Sequence, residues 1–89
     1  LRGVLRDAGV DEQMERTAVL EEWGERVGEE IARVTRPVRV DGSVLFVEVR
    51  SSAWMMELEM MKPTILERLN EGRIEGRIEK IRFRLAENA

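Results

Sequence analysis

Apolar residues recur every three to four positions in the first third of this chain, which is the spacing of a helix face. The spacing predicts a short helix at Val4, Leu5 and Ala8, which Gly9 ends by adopting a left-handed conformation. A long helix, capped by Asp11, then runs until Thr35 and Pro37. The apolar stripe of that long helix consists of Met14, Leu20, Trp23, Val27 and Ile31.

Alternation of apolar and polar residues then predicts a β-hairpin over residues 37–49. Asp41-Gly42 separates two runs of β-branched residues and favours a two-residue type I′ turn. Because side chains alternate across a strand, the hairpin has one apolar and one polar face. The apolar face carries Val38, Val40, Leu45, Val47 and Val49, and the opposite face carries Arg39, Phe46, Glu48 and Arg50.

A further helical pattern starts after a double serine and continues to about Asn70. Ser51 or Ser52 can accept a hydrogen bond from the free N–H groups of the first turn. Pro63 lacks an N–H, so we expect a kink or a break there. The apolar stripe consists of Trp54, Leu58, Met61, Ile65 and Leu69.

The remainder of the chain begins with Gly-Arg-Ile-Glu at residues 72–75, repeated at residues 76–79, which we interpret as a lengthened loop. Alternation returns over about residues 77–85 and predicts a strand with one cationic face. Its apolar residues are Ile81, Phe83 and Leu85, and its cations are Lys80, Arg82 and Arg84.

The predicted order of elements is α-α-β-β-α-(α)-β. A hairpin and a strand that returns after a helix make a three-stranded sheet with helices on one face, which is a small α+β domain. With 89 residues, the chain allows a single domain, residues 1–89, with a core at about residues 4–85. The layout resembles a type II KH fold.

The chain contains neither histidine nor cysteine, so the commonest nucleophiles, bases and zinc ligands are missing. We therefore predict a non-enzymatic domain with no metal site and no cofactor. The sequence shows no signal peptide and no apolar run approaching ~20 residues, which predicts a cytoplasmic protein without a membrane span.

Charge is unevenly distributed, although the net charge is only −3. Residues 11–30 carry eight acidic residues against two arginines, and residues 73–84 carry five basic residues against two glutamates. The acidic helix face is either simply solvated or a docking surface for a basic partner. The basic segment matters more, because it contributes to a candidate nucleic-acid site.

The polar face of the predicted sheet is that candidate nucleic-acid site. Cations that surround one aromatic ring suit a single strand, because the charges pair with phosphates and a base stacks on the ring. The other interpretation is an exposed sheet face that charge keeps soluble, with Glu48 paired to an arginine. The candidate residues are Arg39, Phe46, Arg50, Lys80, Arg82 and Arg84.

A second candidate surface, for a protein partner, involves Trp54, Met56 and Met60. Trp23 and Trp54 lie on apolar stripes, so core packing explains both, but Trp54 lies in a first helical turn where its indole can reach a partner. Met56 and Met60 point away from the stripe, and flexible thioethers suit adaptable binding surfaces. The alternative is that both methionines pack under the first helix.

Five spaced motifs occur in order along the chain: Trp23-x3-Val27-Gly28-x2-Ile31-Ala32-x2-Thr35-x-Pro37, Leu45-x-Val47-x-Val49, Ser51-Ser52-x-Trp54-x3-Leu58, Leu66-x2-Leu69-Asn70 and Ile81-Arg82-Phe83. In this combination the chain resembles the DciA-type family of bacterial replicative helicase loaders over about residues 4–85. The chain has no Gly-x-x-Gly, the loop with which KH domains clamp a nucleic acid backbone.

The resemblance implies a KH-like, non-enzymatic domain that contacts a DnaB-type replicative helicase and binds DNA weakly, single- or double-stranded. Established loaders of this family usually carry a flexible extension that takes part in the helicase contact. Two other functions stay open: a nucleic-acid-binding domain in DNA repair or on RNA without a helicase role, and a plain protein-interaction or self-association module.

Overall fold

Helices and strands form in the order that the apolar spacing predicts. The computed structural model describes residues 8–87, with side chains from residue 11 onward, as an α+β domain with one three-stranded sheet. No helix in this range is long and apolar enough to cross a bilayer. The elements are α1 (Ala8–Thr17), α2 (Val19–Val27), α3 (Glu29–Val34), β1 (Thr35–Asp41), β2 (Val44–Val49), α4 (Ser52–Met60), α5 (Lys62–Asn70) and β3 (Lys80–Leu85).

The predicted long helix is in fact three helices. Gly28 separates α2 from α3 with a φ of 96°, a positive value that glycine adopts without steric cost. The prediction that Gly9 ends a helix is wrong, because α1 runs through both Gly9 and Asp11. Val4 and Leu5 lie outside the described residues.

The apolar stripe of these helices lies in the core, except at its start. Trp23, Val27 and Ile31 are buried together with Val19, whereas the predicted core residue Met14 is 67% exposed. Val19 lies one turn before Trp23 on the same face of α2, so Val19 occupies the core position that the sequence assigns to Met14. The indole N–H of Trp23 donates to the hydroxyl oxygen of Thr35 over 2.9 Å, joining α2 to the start of β1.

The hairpin forms as predicted, but two details differ. Asp41 pairs with Val44, so the two loop residues are Gly42 and Ser43. Gly42 has a φ of 59° and no non-glycine residue in the described range has a positive φ, a combination typical of a type II′ turn rather than type I′. The register also shifts between Pro37 and Arg39, which makes Val38 the bulged residue.

The bulge changes which residues of β1 face outward. Arg39 still pairs with Phe46, but beyond the bulge Arg36 pairs with Glu48 and joins the polar face. Simple alternation from Val38 would turn Arg36 inward. The prediction that Val38 belongs to the regular apolar row is therefore wrong at the bulge.

Strand β3 returns parallel to β2 after α4 and α5, giving the strand order β1-β2-β3. The hydroxyl oxygen of Ser51 accepts a hydrogen bond from the Trp54 N–H over 3.2 Å, which confirms the predicted cap. The predicted break also occurs: α4 ends at Met60 and α5 begins at Lys62, with Pro63 in its first turn. Proline tolerates that position because the first-turn N–H groups need no helical partner.

The helices cover one face of the sheet, where the core lies. Buried side chains of β2, β3, the loop before β3 and α2–α5 form one continuous cluster. Its members are Val19, Trp23, Val27, Ile31, Leu45, Val47, Val49, Leu58, Ile65, Leu69, Ile78 and Ile81. The other face, which we call the outer face, carries mainly charged residues and one aromatic ring: Arg36, Arg39, Phe46, Glu48, Lys80, Arg82 and Arg84.

The glycine repeat forms a loop that packs against α1 and α2. The side chain of Arg73 is 5% exposed and donates to the Glu15 carbonyl over 2.7 Å and to the Glu22 carboxylate over 2.6 Å. Arg77 accepts, through its carbonyl oxygen, a hydrogen bond from Arg16. Part of the basic segment therefore neutralises the acidic helices, and the cations that remain exposed to solvent are mainly those of β3.

Candidate nucleic-acid and partner interfaces

The outer face presents the side chains of all three strands in rows. One row consists of Arg39, Phe46 and Arg82, which pair directly across β1, β2 and β3. Lys80 pairs with Val44 one row nearer the hairpin turn. The strand pairing thus gathers three of the five predicted cations around the ring of Phe46.

Phe46 is already stacked in this row. The Arg39 guanidinium carbon lies 4.1 Å from the ring centroid, which is cation–π geometry. A nucleic acid base would therefore stack on the exposed guanidinium or displace it from the ring, since both surfaces are planar and polarisable. The predicted base platform is an arginine–phenylalanine pair rather than a bare phenylalanine.

The next row contains an ion-pair triad. Glu48 accepts one hydrogen bond from Arg36 and one from Arg84, each over 2.8 Å. These bonds, the one from Arg36 first, hold the pKa of the Glu48 carboxyl below its usual range. Glu48 thus does pair with arginine, as the alternative interpretation expects, and Arg84 is less free than the sequence suggests.

The other predicted cations carry no such partner. Within the side chains that the structure describes, Arg50, Lys80 and Arg82 make no ion pair and no side-chain hydrogen bond. All three are exposed. These three cations are therefore available to a polyanion. The row of Arg36, Glu48 and Arg84 adds a net positive charge, because two arginines share one carboxylate.

Trp54 lies half-buried at the start of α4, and Trp23 is a core residue at 2% exposure. The indole of Trp54 borders a groove of about 470 Å³ with Ile31 and Met61. Glu30 and Glu57 also line this groove. Its apolar walls and two acids could hold an apolar side chain next to a basic one.

Met56 and Met60 lie one turn apart on α4 and are 72% and 82% exposed. The alternative that they pack under the first helix is therefore wrong. Exposed thioethers side by side on one helix face are unusual in a small domain, because burying them would stabilise the fold. The structure leaves both side chains accessible on α4, and neither of them lines the Trp54 groove.

Comparison with known proteins gives a family. The sequence profile of the family described as Dna[CI] antecedent, DciA, matches residues 1–83. The chain is also 36% identical, over 66 residues, to the UPF0232 protein SCO3875 of Streptomyces coelicolor. That match covers 72% of this chain and 35% of the Streptomyces protein, so the chain spans about a third of the length of that relative.

Proposed function

This chain belongs to the DciA family of bacterial DNA-replication proteins associated with helicase loading, and we propose that its domain is a non-enzymatic adaptor that binds single-stranded DNA weakly and contacts a DnaB-type replicative helicase. The DNA site is the outer face of the sheet. The helicase site is the exposed surface of α4. The two sites lie on different elements, so one domain could hold both partners at once.

One observation carries the DNA-binding part: the row of Arg39, Phe46 and Arg82, with Lys80, which makes no ion pair to a described residue, in the row nearer the hairpin turn. Phosphates would pair with Arg82 and Lys80, and a base would stack on the Arg39–Phe46 pair. Single strands suit this surface better than duplex, because it offers one stacking platform and no helix that could enter a major groove. This way of binding a single strand does not require a Gly-x-x-Gly loop, which the chain lacks.

The substitution Arg82→Glu is expected to weaken binding of a fluorescent oligothymidylate at least about tenfold, because reversing one charge next to a phosphate turns attraction into repulsion. The slope of log affinity against log salt should also become shallower by roughly 0.7 for each phosphate that no longer pairs with a cation. Fluorescence anisotropy at several salt concentrations measures both quantities.

Arg77→Glu is the matched control, because Arg77 is also an exposed arginine that precedes β3 but lies outside the outer-face rows. It should change the affinity much less than Arg82→Glu. Binding that ignores salt, or equal effects of the two substitutions, would remove the outer face as the DNA site.

The helicase contact is favoured by the accessible methionines of α4 and by the Trp54 groove, which the same helix lines with Ala53, Trp54 and Glu57. Burying two methionine side chains contributes roughly 1.5–3 kcal/mol each when they become fully covered. Thioether chains also adapt their shape to a partner at little cost. A partner that covers these side chains would therefore be bound through apolar burial.

The double substitution Met56→Ser with Met60→Ser is expected to weaken binding of a purified hexameric replicative helicase at least about tenfold, since the apolar area that serine cannot cover is worth more than about 1.4 kcal/mol. The folded domain should be unaffected, because both side chains are exposed. Isothermal titration with and without single-stranded DNA measures the binding.

Met14→Ser is the control for this experiment, because Met14 is a similarly exposed methionine on α1. It should bind helicase like the unchanged chain. If the unchanged chain binds DNA but not helicase, the alternative of a nucleic-acid-binding domain without a helicase role is favoured. If it binds neither, the plain interaction module is favoured.

A further inference from the structure

A cleft of about 710 Å³ opens at one end of the outer face, where α3 leads into β1 and where β2 and β3 end. Four arginines and two glutamates line it: Arg33, Arg36, Arg50, Arg84, Glu48 and Glu87. Arg33 comes from α3, so the cleft draws cations from both helix and sheet. Four guanidinium groups around one small volume repel one another unless an anion lies between them.

Glu48 supplies one such anion. Its side chain is 14% exposed, and it accepts from one terminal nitrogen each of Arg36 and Arg84. A guanidinium has five N–H donors in a planar fork, so most donors of these two arginines remain unused by described residues. Arg33 and Arg50 are exposed and make no side-chain hydrogen bond or ion pair in the described range.

The cleft also lies at a suitable distance from the proposed base platform. The row of Arg36, Glu48 and Arg84 is two residues along β2 and β3 from the row that contains Phe46. Two residues of a strand span about 6.6 Å, which is comparable to the distance between successive phosphates of an extended single strand. A base on the Arg39–Phe46 pair would therefore place a neighbouring phosphate at the mouth of the cleft.

From this geometry we infer that the cleft is a subsite for one backbone phosphate of a single strand, bound by Arg33 and Arg50, and that Glu48 competes with that phosphate for Arg36 and Arg84. The inference rests on the proposed DNA-binding function and deepens it. Arginine suits the role because its fork binds a phosphate through two parallel hydrogen bonds. The carboxylate of Glu48 keeps the empty cleft ordered and limits its affinity for the strand.

Anisotropy titrations of a fluorescent oligothymidylate at fixed salt test the subsite. Glu48→Gln should tighten binding by about three- to fivefold, because it removes a negative charge a few ångströms from the phosphate while keeping a hydrogen-bond acceptor. Arg33→Ala with Arg50→Ala should weaken binding at least about fivefold and, in a salt series, make the salt slope shallower by roughly 0.7, since one phosphate loses its cations. Arg77→Ala, which removes an arginine outside the cleft, should change neither quantity.

An oligothymidylate with neutral methylphosphonate linkages adds a second arm, because it keeps the bases and removes the phosphate charge. The gain from Glu48→Gln should disappear with this ligand. If Glu48→Gln binds no tighter, or if the double arginine variant binds like the unchanged chain, while Arg82→Glu still weakens binding, the subsite is wrong and the proposed function stands. If Arg82→Glu has no effect, the outer-face DNA site itself fails.

Discussion

Replacing Gly76 with alanine is expected to destabilise the domain by about 2–5 kcal/mol. Gly76 has a φ of 67°, a left-handed conformation that costs other residues roughly 1–2 kcal/mol. A Cβ there would also lie 2.5 Å from the Cβ of Glu15, 2.9 Å from the carbonyl oxygen of Glu12 and 3.2 Å from the backbone nitrogen of Arg16. Relieving that overlap means moving the α1 backbone, and overpacking of this kind typically costs about 1–3 kcal/mol.

Thermal unfolding followed by circular dichroism measures the effect, and the midpoint should fall by at least about 10 °C, since 1 kcal/mol shifts a domain of this size by roughly 4–8 °C. Gly72→Ala is the matched control. Gly72 also has a positive φ, 80°, but a Cβ there would meet nothing within 4 Å. Gly72→Ala should therefore lower the stability only by the roughly 1–2 kcal/mol that a left-handed conformation costs alanine. An equal loss of stability in the two variants would show that the contact between Gly76 and α1 is unimportant.

The two copies of Gly-Arg-Ile-Glu show what sequence could not predict. Ile74 is 94% exposed whereas Ile78 is 1% exposed. Arg73 is buried against α1 and α2, whereas Arg77 is exposed. Identical local sequence gives no reason to prefer either copy. Contacts with helices about sixty residues earlier in the chain decide which one packs, and local patterns carry no information about such contacts.

The sheet shows the opposite case, because its alternation is regular over most of its length. Alternation predicts that Phe46 and Arg82 face outward while Val47 and Ile81 face the core, and the strand pairing confirms this. The pattern fails at Val38, because a bulge shifts the phase of a strand without any change in composition. Alternation misses Arg36 for that reason.

Arg33 escapes sequence-based prediction for a different reason. It lies on a short helix whose acidic neighbours suggest a solvated surface, and it lines the cleft only because α3 ends directly at β1. Periodicity within one element cannot show where the end of a helix meets the end of a sheet. In contrast, the helical angle of Met56 and Met60 relative to Trp54 predicts that they leave the apolar stripe, but only the structure shows that they are exposed instead of packed under the first helix.

Asn70→Ala is expected to destabilise the domain by about 2–4 kcal/mol. Asn70 is 7% exposed, and its side-chain amide donates to the Ile78 carbonyl over 2.8 Å and accepts from the Ile78 N–H over 2.7 Å. Alanine would leave both backbone groups of a buried residue without a partner, and each such group costs roughly 1–3 kcal/mol. The thermal midpoint measures the destabilisation, with Glu67→Ala, an exposed change on the same helix, as the control.

The Asn70→Ala variant also tests whether one of the family motifs serves the fold or a binding site. Asn70 ends the Leu66-x2-Leu69-Asn70 motif, and its bonds to Ile78 fix the point from which the chain enters β3 two residues later. If Asn70→Ala lowers the stability, the motif is needed for folding. Its effect on DNA binding is then indirect, because Asn70 helps to set the position of Arg82. An Asn70→Ala variant with unchanged stability but impaired helicase binding would instead make Asn70 part of the partner surface.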